Sequence, residues 1–487
     1  MRSSAAHPLR FLAVLCIVAA LPGITPADTI YLKNGRKIAA SNVVEANGQV
    51  SYDTSSGTLS LPASIVDRVT RESAVSLDAP PGTSRDRAAN LPLAPPNVFS
   101  PAANDDASNS AVRDGSIDVS QLSKLESEAS ANPSATAIAR VVAAESAAAQ
   151  FEITVGDFNQ AATYYGTALR YSPDNVGLLL ETAYLHLRRS EYSAALELLD
   201  RAKRLQPDSA DAAKLSGWAY YGLNRVNDAV AEWKRALAIK PDAEVQQALE
   251  KAEVDAREEA SYQEGETAHF RLKYNGGAAP ELARAVLRTL ESEFEEISTT
   301  LGYLPPEPIG VILYTNQAFS DITRAPSWTG ALNDGRIRVP VEGLSAMTDD
   351  LARVLKHELT HSFVAQKTGG RCPVWLQEGI AQYMEGKRSR NVAGTLSNEY
   401  ENHMDFSLTS YESSWMNLPK DTALKAYEWS LAAVEAIVNT GGMDDLGRIL
   451  DRLAAGAAGE DATRAVLHDS YADLMQTTVL YLRKTYL

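Results

Sequence analysis

Residues that bind metal ions crowd into one stretch, Leu355 to Tyr383. It opens with His357, Glu358 and His361 in an H-E-x-x-H pattern, and a W-L-Q-E-G-I-A-Q-Y run follows that carries Glu378. On an α-helix, residues four apart share a face, so the two imidazoles can meet one ion. The chain has 7 histidines, which makes a chance match to this pattern improbable. Two imidazoles and one carboxylate leave a fourth position for water, the arrangement of catalytic rather than structural zinc sites.

Two elements must position these groups. The first is a helix over Asp349–Lys367, which contains no Pro or Gly and has Thr348 placed as an N-cap. At 100° per residue, Leu351, Val354, Leu355 and Leu359 form an apolar arc bordered by the two histidines, with Arg353, Lys356 and Lys367 on the far side. Gly369-Gly370 stops this helix and Pro373 opens the next. His361 lies about 9 Å from the end of the first helix, and Glu378 about 7–8 Å into the second. An antiparallel pair with so short a loop returns the Glu378 carboxylate to the imidazoles. Cys372, in that loop, reads as a packing residue because the His, His, Glu set is already complete.

H-E-L-T-H followed by W-L-Q-E-G-I-A-Q-Y resembles the gluzincin metallopeptidases, the group of thermolysin and the aminopeptidase N-like enzymes, and within it the bacterial peptidase-MA-like domains. The resemblance covers roughly residues 265–487. It implies an α+β zincin-like domain with a helical C-terminal part, Zn2+ held by His357, His361 and Glu378, and Glu358 as general base. It also implies that the strand before the zinc helix receives an extended peptide. Arg336–Val341 and Trp328–Leu332 flank Asn333-Asp334-Gly335 as a hairpin. Pro340 cannot donate to a ladder, so its strand is expected at an edge, where a substrate can add as a further strand. Gly330, Ala331, Ile337, Arg338 and Val339 are the substrate-binding candidates on this reading. Gly330–Asp334 stands where aminopeptidase N-like enzymes carry a G-x-M-E-N run that captures a substrate amine. This chain lacks that Glu, which favours an endopeptidase-like cleft. Tyr427 matches by type and order a tyrosine that donates to the oxyanion in those enzymes. Gln382 is a weak candidate to orient a ligating histidine, and His269, His403 and His468 read as structural or solvated.

The remaining elements frame this site. His269–Tyr274 alternates as a strand, Glu281–Leu301 is an amphipathic helix and Ile309–Tyr314 is a buried strand. Ala426–Val438 is a helix ended by Gly441-Gly442. Asp444–Ala454, Glu460–Asp469 and Tyr471–Tyr486 supply further helices.

The 487 residues leave room for two to four domains. Residues 1–27 read as a cleavable signal peptide: Arg2 and Arg10, then the apolar Phe11–Leu21, then Thr25-Pro26-Ala27. The apolar run is too short for an ordinary membrane span, and no stable anchor is expected. The protein is therefore expected in the periplasm or outside the cell. Residues 28–73 alternate around Asn34-Gly35 and Asn47-Gly48, which predicts a small SH3-like β domain. Residues 74–116 read as a linker rich in Pro, Ala, Ser, Asn and Asp. Within 117–259 a period of 34 residues emerges: Ala161, Ala195 and Ala229; Ala168, Ala202 and Ala236; Ala149, Ala183 and Gly217; and three Pro-Asp pairs at 173, 207 and 241. This is the tetratricopeptide pattern, an all-α solenoid of helical hairpins closed by a polar cap over Asp242–Glu259. The peptidase-like domain takes the remaining residues, 260–487.

Net charge is −16, which argues against nucleic acid or an anionic membrane surface as the main partner. The leading expectation is zinc-dependent hydrolysis of a peptide or protein substrate, with a protein partner at the repeats. The competing one is a periplasmic scaffold in which the repeats bind a partner and the peptidase-like domain is inactive.

Overall fold

The computed structural model describes residues 28–32, 37–46, 49–54, 57–63, 66–70, 111–113, 115–275, 280–316, 318–319, 331–341, 344–402, 407–413, 415 and 418–487. The chain divides into two compact units, Met1–Ala74 and Val75–Leu487. The expected signal peptide, most of the expected linker, Gly330 and His403 lie outside the described residues.

In the first unit, alternating sequence gives strands β1 (Asp28–Leu32), β2 (Lys37–Ala46), β3 (Gln49–Thr54), β4 (Gly57–Pro62) and β5 (Val66–Thr70). They form one antiparallel sheet in the order β4-β3-β2-β1-β5. The pairs β1–β2 and β2–β3 are the two hairpins that the Asn-Gly dipeptides call for.

The second unit opens with two short strands, β6 (Val112–Arg113) and β7 (Ser116–Ile117), in residues expected to be linker. Ala111 and Ile117 pack against Leu122, Leu125 and Val141, which anchors this hairpin to the first helices. Eight helices follow: α1 (Val119–Ala131), α2 (Ala135–Val155), α3 (Phe158–Tyr171), α4 (Val176–Arg188), α5 (Tyr192–Leu205), α6 (Ala210–Gly222), α7 (Val226–Ile239) and α8 (Ala243–Glu259). Consecutive helices pack in sequence as a solenoid. The small residues of the 34-residue period, Ala149, Ala161, Ala183, Ala195, Gly217 and Ala229, are all buried where helices cross. The Pro-Asp turns are tied in with the same period: Arg201 donates to the Pro173 carbonyl at 2.7 Å, and Arg235 repeats the contact at Pro207.

Beyond the solenoid lies a five-stranded sheet of β8 (Gln263–Glu266), β9 (Phe270–Tyr274), β10 (Ile309–Tyr314), β11 (Leu332–Asn333) and β12 (Arg336–Pro340), in the order β11-β12-β10-β9-β8. The central three strands are parallel and the two outer ones antiparallel. All six residues of β10 are buried, as a strand covered on both faces requires. On one face, Ile337 and Val339 join Leu351, Leu355 and Leu359 in the main core. That core is built with α9 (Pro280–Leu301), α10 (Asp349–Lys367), α11 (Val374–Met384), α12 (Ala393–Glu401), α13 (Lys420–Ala454, broken at Gly442), α14 (Gly459–Leu467) and α15 (Tyr471–Tyr486).

The edge assignment of β12 is corrected. This strand pairs with β10 on one side and β11 on the other, and β11 is the edge. The β11 ladder ends at Arg338, two residues short of Pro340, so the missing proline N–H costs no β11 pairing. Arg336 and Arg338, on the strand face opposite Ile337 and Val339, are buried against α8. The polar outer face expected of the capping helix is correspondingly part of an interior contact.

Candidate metal centre

Helix α10 starts as its sequence requires: the Thr348 side chain accepts from the Leu351 N–H at 3.1 Å. Leu351, Val354, Leu355 and Leu359 bury the apolar arc, and this turns His357 and His361 inward beside it. Lys356, on the other face, reaches Glu293 and Glu296 of α9, each at 2.8 Å. Gly369 and Gly370 both take left-handed backbone (φ 58° and 75°), which breaks the helix and reverses the chain. Pro373 then caps α11, and Glu378 arrives one turn later.

Glycine at 379 is what lets α11 lie close enough. A Cβ there would come within 2.3 Å of the Ser430 carbonyl oxygen and 2.6 Å of Val434 on α13. The helices therefore meet backbone to backbone next to Glu378.

One ligand atom each from His357, His361 and Glu378 lies within 4.8 Å of the others. Glu378 Oε2 is 3.4 Å from His357 Nε2 and 3.5 Å from His361 Nε2. Ligands about 2.0–2.1 Å from a tetrahedral ion sit about 3.4 Å apart, so these separations fit a zinc coordination sphere. All three side chains are buried. His357 Nε2, His361 Nε2 and Glu378 Oε2 have no hydrogen-bond partner among the described residues, and neither carboxyl oxygen of Glu358 has one. Buried polar atoms are almost always satisfied. A convergent set of unsatisfied ones, two imidazoles and a carboxylate, fits a divalent cation.

The electrostatics agree. Burial alone would lower His357, but Glu385 and Glu378 lift it to about 9. Burial pushes His361 down. For Glu378 burial acts upward, and His361 and His357 together outweigh it and hold the carboxyl near about 2. Burial raises Glu358 to about 8. A carboxyl poised so close to neutrality is suited to taking and giving a proton.

Glu385 escaped sequence reading. Its Oε1 lies 3.2 Å from His357 Nδ1, which fixes that ring from behind, and Lys387 holds the carboxylate at 2.9 Å. The available signal was spacing, since residues 378 and 385 are two turns apart on one face. Gln382, the candidate for this role, donates instead to the Tyr427 carbonyl at 2.9 Å and the Glu378 carbonyl at 3.3 Å. Tyr427 is buried, with its ring edge-on to Trp415 at 5.0 Å. Burial raises its hydroxyl well above the usual value, and the charges of Glu378 and Glu358 raise it further, which places it beside the cluster.

The substrate-binding candidates divide. Ala331 is buried at the start of β11. Ile337 and Val339 point into the core, and the Arg338 guanidinium is committed to Asp334, Asp255, Tyr221 and Tyr314. Inner-strand pairing and burial remove these three side chains from a substrate face. Asn333 on β11 donates to the Glu358 carbonyl and to Ser362 Oγ, both at 2.7 Å, and so ties the edge strand to the H-E-x-x-H helix. His269 is structural: its Nδ1 meets Glu291 at 2.6 Å and its ring stacks on Phe294 at 3.9 Å.

A helical solenoid thus precedes a mostly helical region with a small sheet, in which a helix pair gathers two histidines and a glutamate. Family models match both parts: the chain carries a Peptidase MA superfamily domain over residues 293–479 and tetratricopeptide repeats over 146–210 and 191–244. None of the curated proteins matches the chain. Similar solved structures are repeat proteins. The first TPR domain of the human RPAP3 protein is 19% identical, covers 23% of this chain and 89% of its own, with a TM-score of 0.22. A MamA RS-1 double mutant is 20% identical over 28% of this chain and 74% of its own, with a TM-score of 0.24. A thermophilic TPR protein from Thermus thermophilus is 21% identical over 28% and 72%, with a TM-score of 0.22. Among the described residues, no helix is long and apolar enough to cross a membrane.

Proposed function

We propose that this protein is an exported zinc metallopeptidase that cleaves peptide bonds, with its solenoid holding a substrate or a partner protein. The observation that carries the proposal is the set of three unsatisfied donor atoms from His357, His361 and Glu378 beside the buried carboxyl of Glu358. His357, His361 and Glu378 would hold the ion. Bound there, zinc supplies Lewis acidity that polarises a carbonyl and lowers the pKa of a coordinated water to about 7.

The chain's own groups do the rest. Glu358 accepts a proton from the attacking water on a carboxylate oxygen and delivers it to the leaving amine. Glu385 holds the His357 ring through Nδ1, so that Nε2 faces the site. Tyr427 supplies a hydroxyl whose proton is firmly held, suited to donate a hydrogen bond to a developing oxyanion, an effect often worth about 3 kcal/mol. The edge strand β11 offers backbone to an extended peptide. Asn333 stands where amine-capturing enzymes carry Glu, and its amide is spent on Glu358 and Ser362. This favours cleavage within chains over removal of N-terminal residues. The signal-like residues 1–27 support action in the periplasm or outside the cell.

The test is zinc content with proteome-wide cleavage mapping, comparing wild type and Glu358→Gln. The expected result is one zinc per chain in both proteins, with cleavage lost only in the variant. Zinc present with no cleavage by wild type would favour a scaffold, and cleavage at the parental rate by the variant would remove Glu358 from its role.

A further inference from the structure

A second site-like feature lies away from the histidines, where the solenoid meets the far end of α10. A cleft of about 190 Å³ opens there between α3, α4, the α9–β10 connection and the α10–α11 turn. Arg188, Arg189, Lys367 and Arg371 all line it, in a protein whose net charge is −16. Two of these cations are neutralised. Arg189 pairs with Glu191 at 2.7 Å, and Lys367 with Asp451 at 2.5 Å.

Arg188 and Arg371 are different. Neither makes an ion pair among the described residues, yet both guanidinium groups lie over one ring, that of Phe158, at 4.8 and 4.7 Å. Arg371 is held in place by its Nε on the Leu453 carbonyl at 2.7 Å and its Nη2 on the Ala454 carbonyl, and its Nη1 is buried without an acceptor. Burial and then the charge of Arg188 disfavour the charged form of Arg371, so the two cations repel. The acid that acts on Arg371, Asp157, already caps α3 by accepting from the Gln160 N–H at 3.0 Å. Helix ends at Arg188 and Lys367 favour cations, and the aromatic face helps, but neither supplies the full negative charge that a guanidinium pair matches best.

The same cleft has apolar lining from Tyr303, Leu304 and Pro306. Leu304 is 64% exposed, so its side chain is open to a ligand in the cleft. A planar cationic pair and apolar side chains lining one cleft match a ligand that has a carboxylate at one end and an apolar body at the other.

We propose that this cleft binds the free carboxylate of a small apolar-bodied ligand, such as the C-terminal residue of a short peptide, against the Arg188–Arg371 pair and the Leu304 side chain. The site is separate from the metal centre and stands whether or not the protein is a peptidase.

The test is calorimetric titration of the full-length protein with N-acetyl-leucine, N-acetyl-leucinamide and inorganic phosphate. Saturable binding of N-acetyl-leucine is expected, at least tenfold weaker for the amide and at least tenfold weaker again in Arg188→Gln, with Arg188→Lys recovering part of the loss. Leu304→Ser should weaken N-acetyl-leucine but not phosphate. Circular dichroism checks that the variants stay folded. No saturable binding, or binding indifferent to Arg188→Gln, overturns the assignment. So does binding abolished by a chelator, which would place the ligand at His357 and His361. Phosphate binding more tightly than N-acetyl-leucine would overturn the carboxylate assignment in favour of a phosphate site.

Discussion

His357 shows how much one side chain depends on what stands behind it. Its Nδ1 leans on Glu385 while its Nε2 faces Glu378. Glu385→Gln keeps the shape and removes the charge. Outer partners of metal-bound histidines are commonly worth about 10–100-fold in metal affinity, and a loss of that size is expected in competitive titration against a chelator. The same charges set a pH dependence. Without metal, His357 holds a proton up to about 9, and an ion must displace it. Zinc affinity should therefore rise with pH from 6 to 9, and loading at pH 7 should release a proton, visible as a buffer-dependent calorimetric heat. An affinity flat across that range would contradict the charge pattern. At this scale the sequence was informative where the chemistry is periodic. His357, Glu358 and His361 are marked by their spacing on one helix face. Glu385 carries only the weaker mark of lying two turns after Glu378, and a glutamate near a helix end close to Lys387 is otherwise an ordinary surface pattern.

Helices α10 and α11 were legible almost to the residue, since Thr348, the Gly369-Gly370 stop and Pro373 each encode a boundary by a physical preference. Strand β12 was not. Arg336 and Arg338 alternate with Ile337 and Val339, which normally means one wet face. The sheet instead has α8 on that face, and nothing local to β12 announces a helix that comes from 80 residues earlier. Proline at 340 misled for a similar reason, since what frees it is the shortness of β11, a property of the neighbour. The closest helix crossing offers an element-level test. Gly379→Ala puts a methyl into the Ser430 carbonyl, which must push α11 away. A loss of about 1–3 kcal/mol in a denaturant melt is expected, together with reduced zinc content, because Glu378 moves with the helix.

Across the whole molecule, the repeat array and the Peptidase MA superfamily domain meet through buried charge. Asp255 of α8 receives Arg336 and Arg338, Glu259 receives Arg336 at 2.9 Å, and Lys251 reaches Asp334 at 2.6 Å. Burial alone would raise the Asp255 carboxyl, but Arg336 and Arg338 bring it down to about 2. Its unfolded value is about 3.9. The stabilisation it contributes is thus complete above pH about 4 and lost as pH falls toward 2. Asp255→Ala leaves Arg336 with Glu259 and Arg338 with Asp334 but removes the buried charge they share, and a loss of up to about 3–5 kcal/mol is expected, read from the urea midpoint of full-length protein at pH 7. A variant that melts like wild type would show the network to be dispensable. The 34-residue period revealed the solenoid, but no periodicity could reveal that its last helix is also the back wall of the next domain.

That shared wall constrains how the gene can be cut. A fragment started at residue 260, where the repeat ends, would leave Arg336 and Arg338 without Asp255 and Glu259, exposed to water. One started at 293, where the family match begins, would lose β8 and β9 as well. The smallest self-standing module therefore has to include at least the helix that carries Lys251, Asp255 and Glu259.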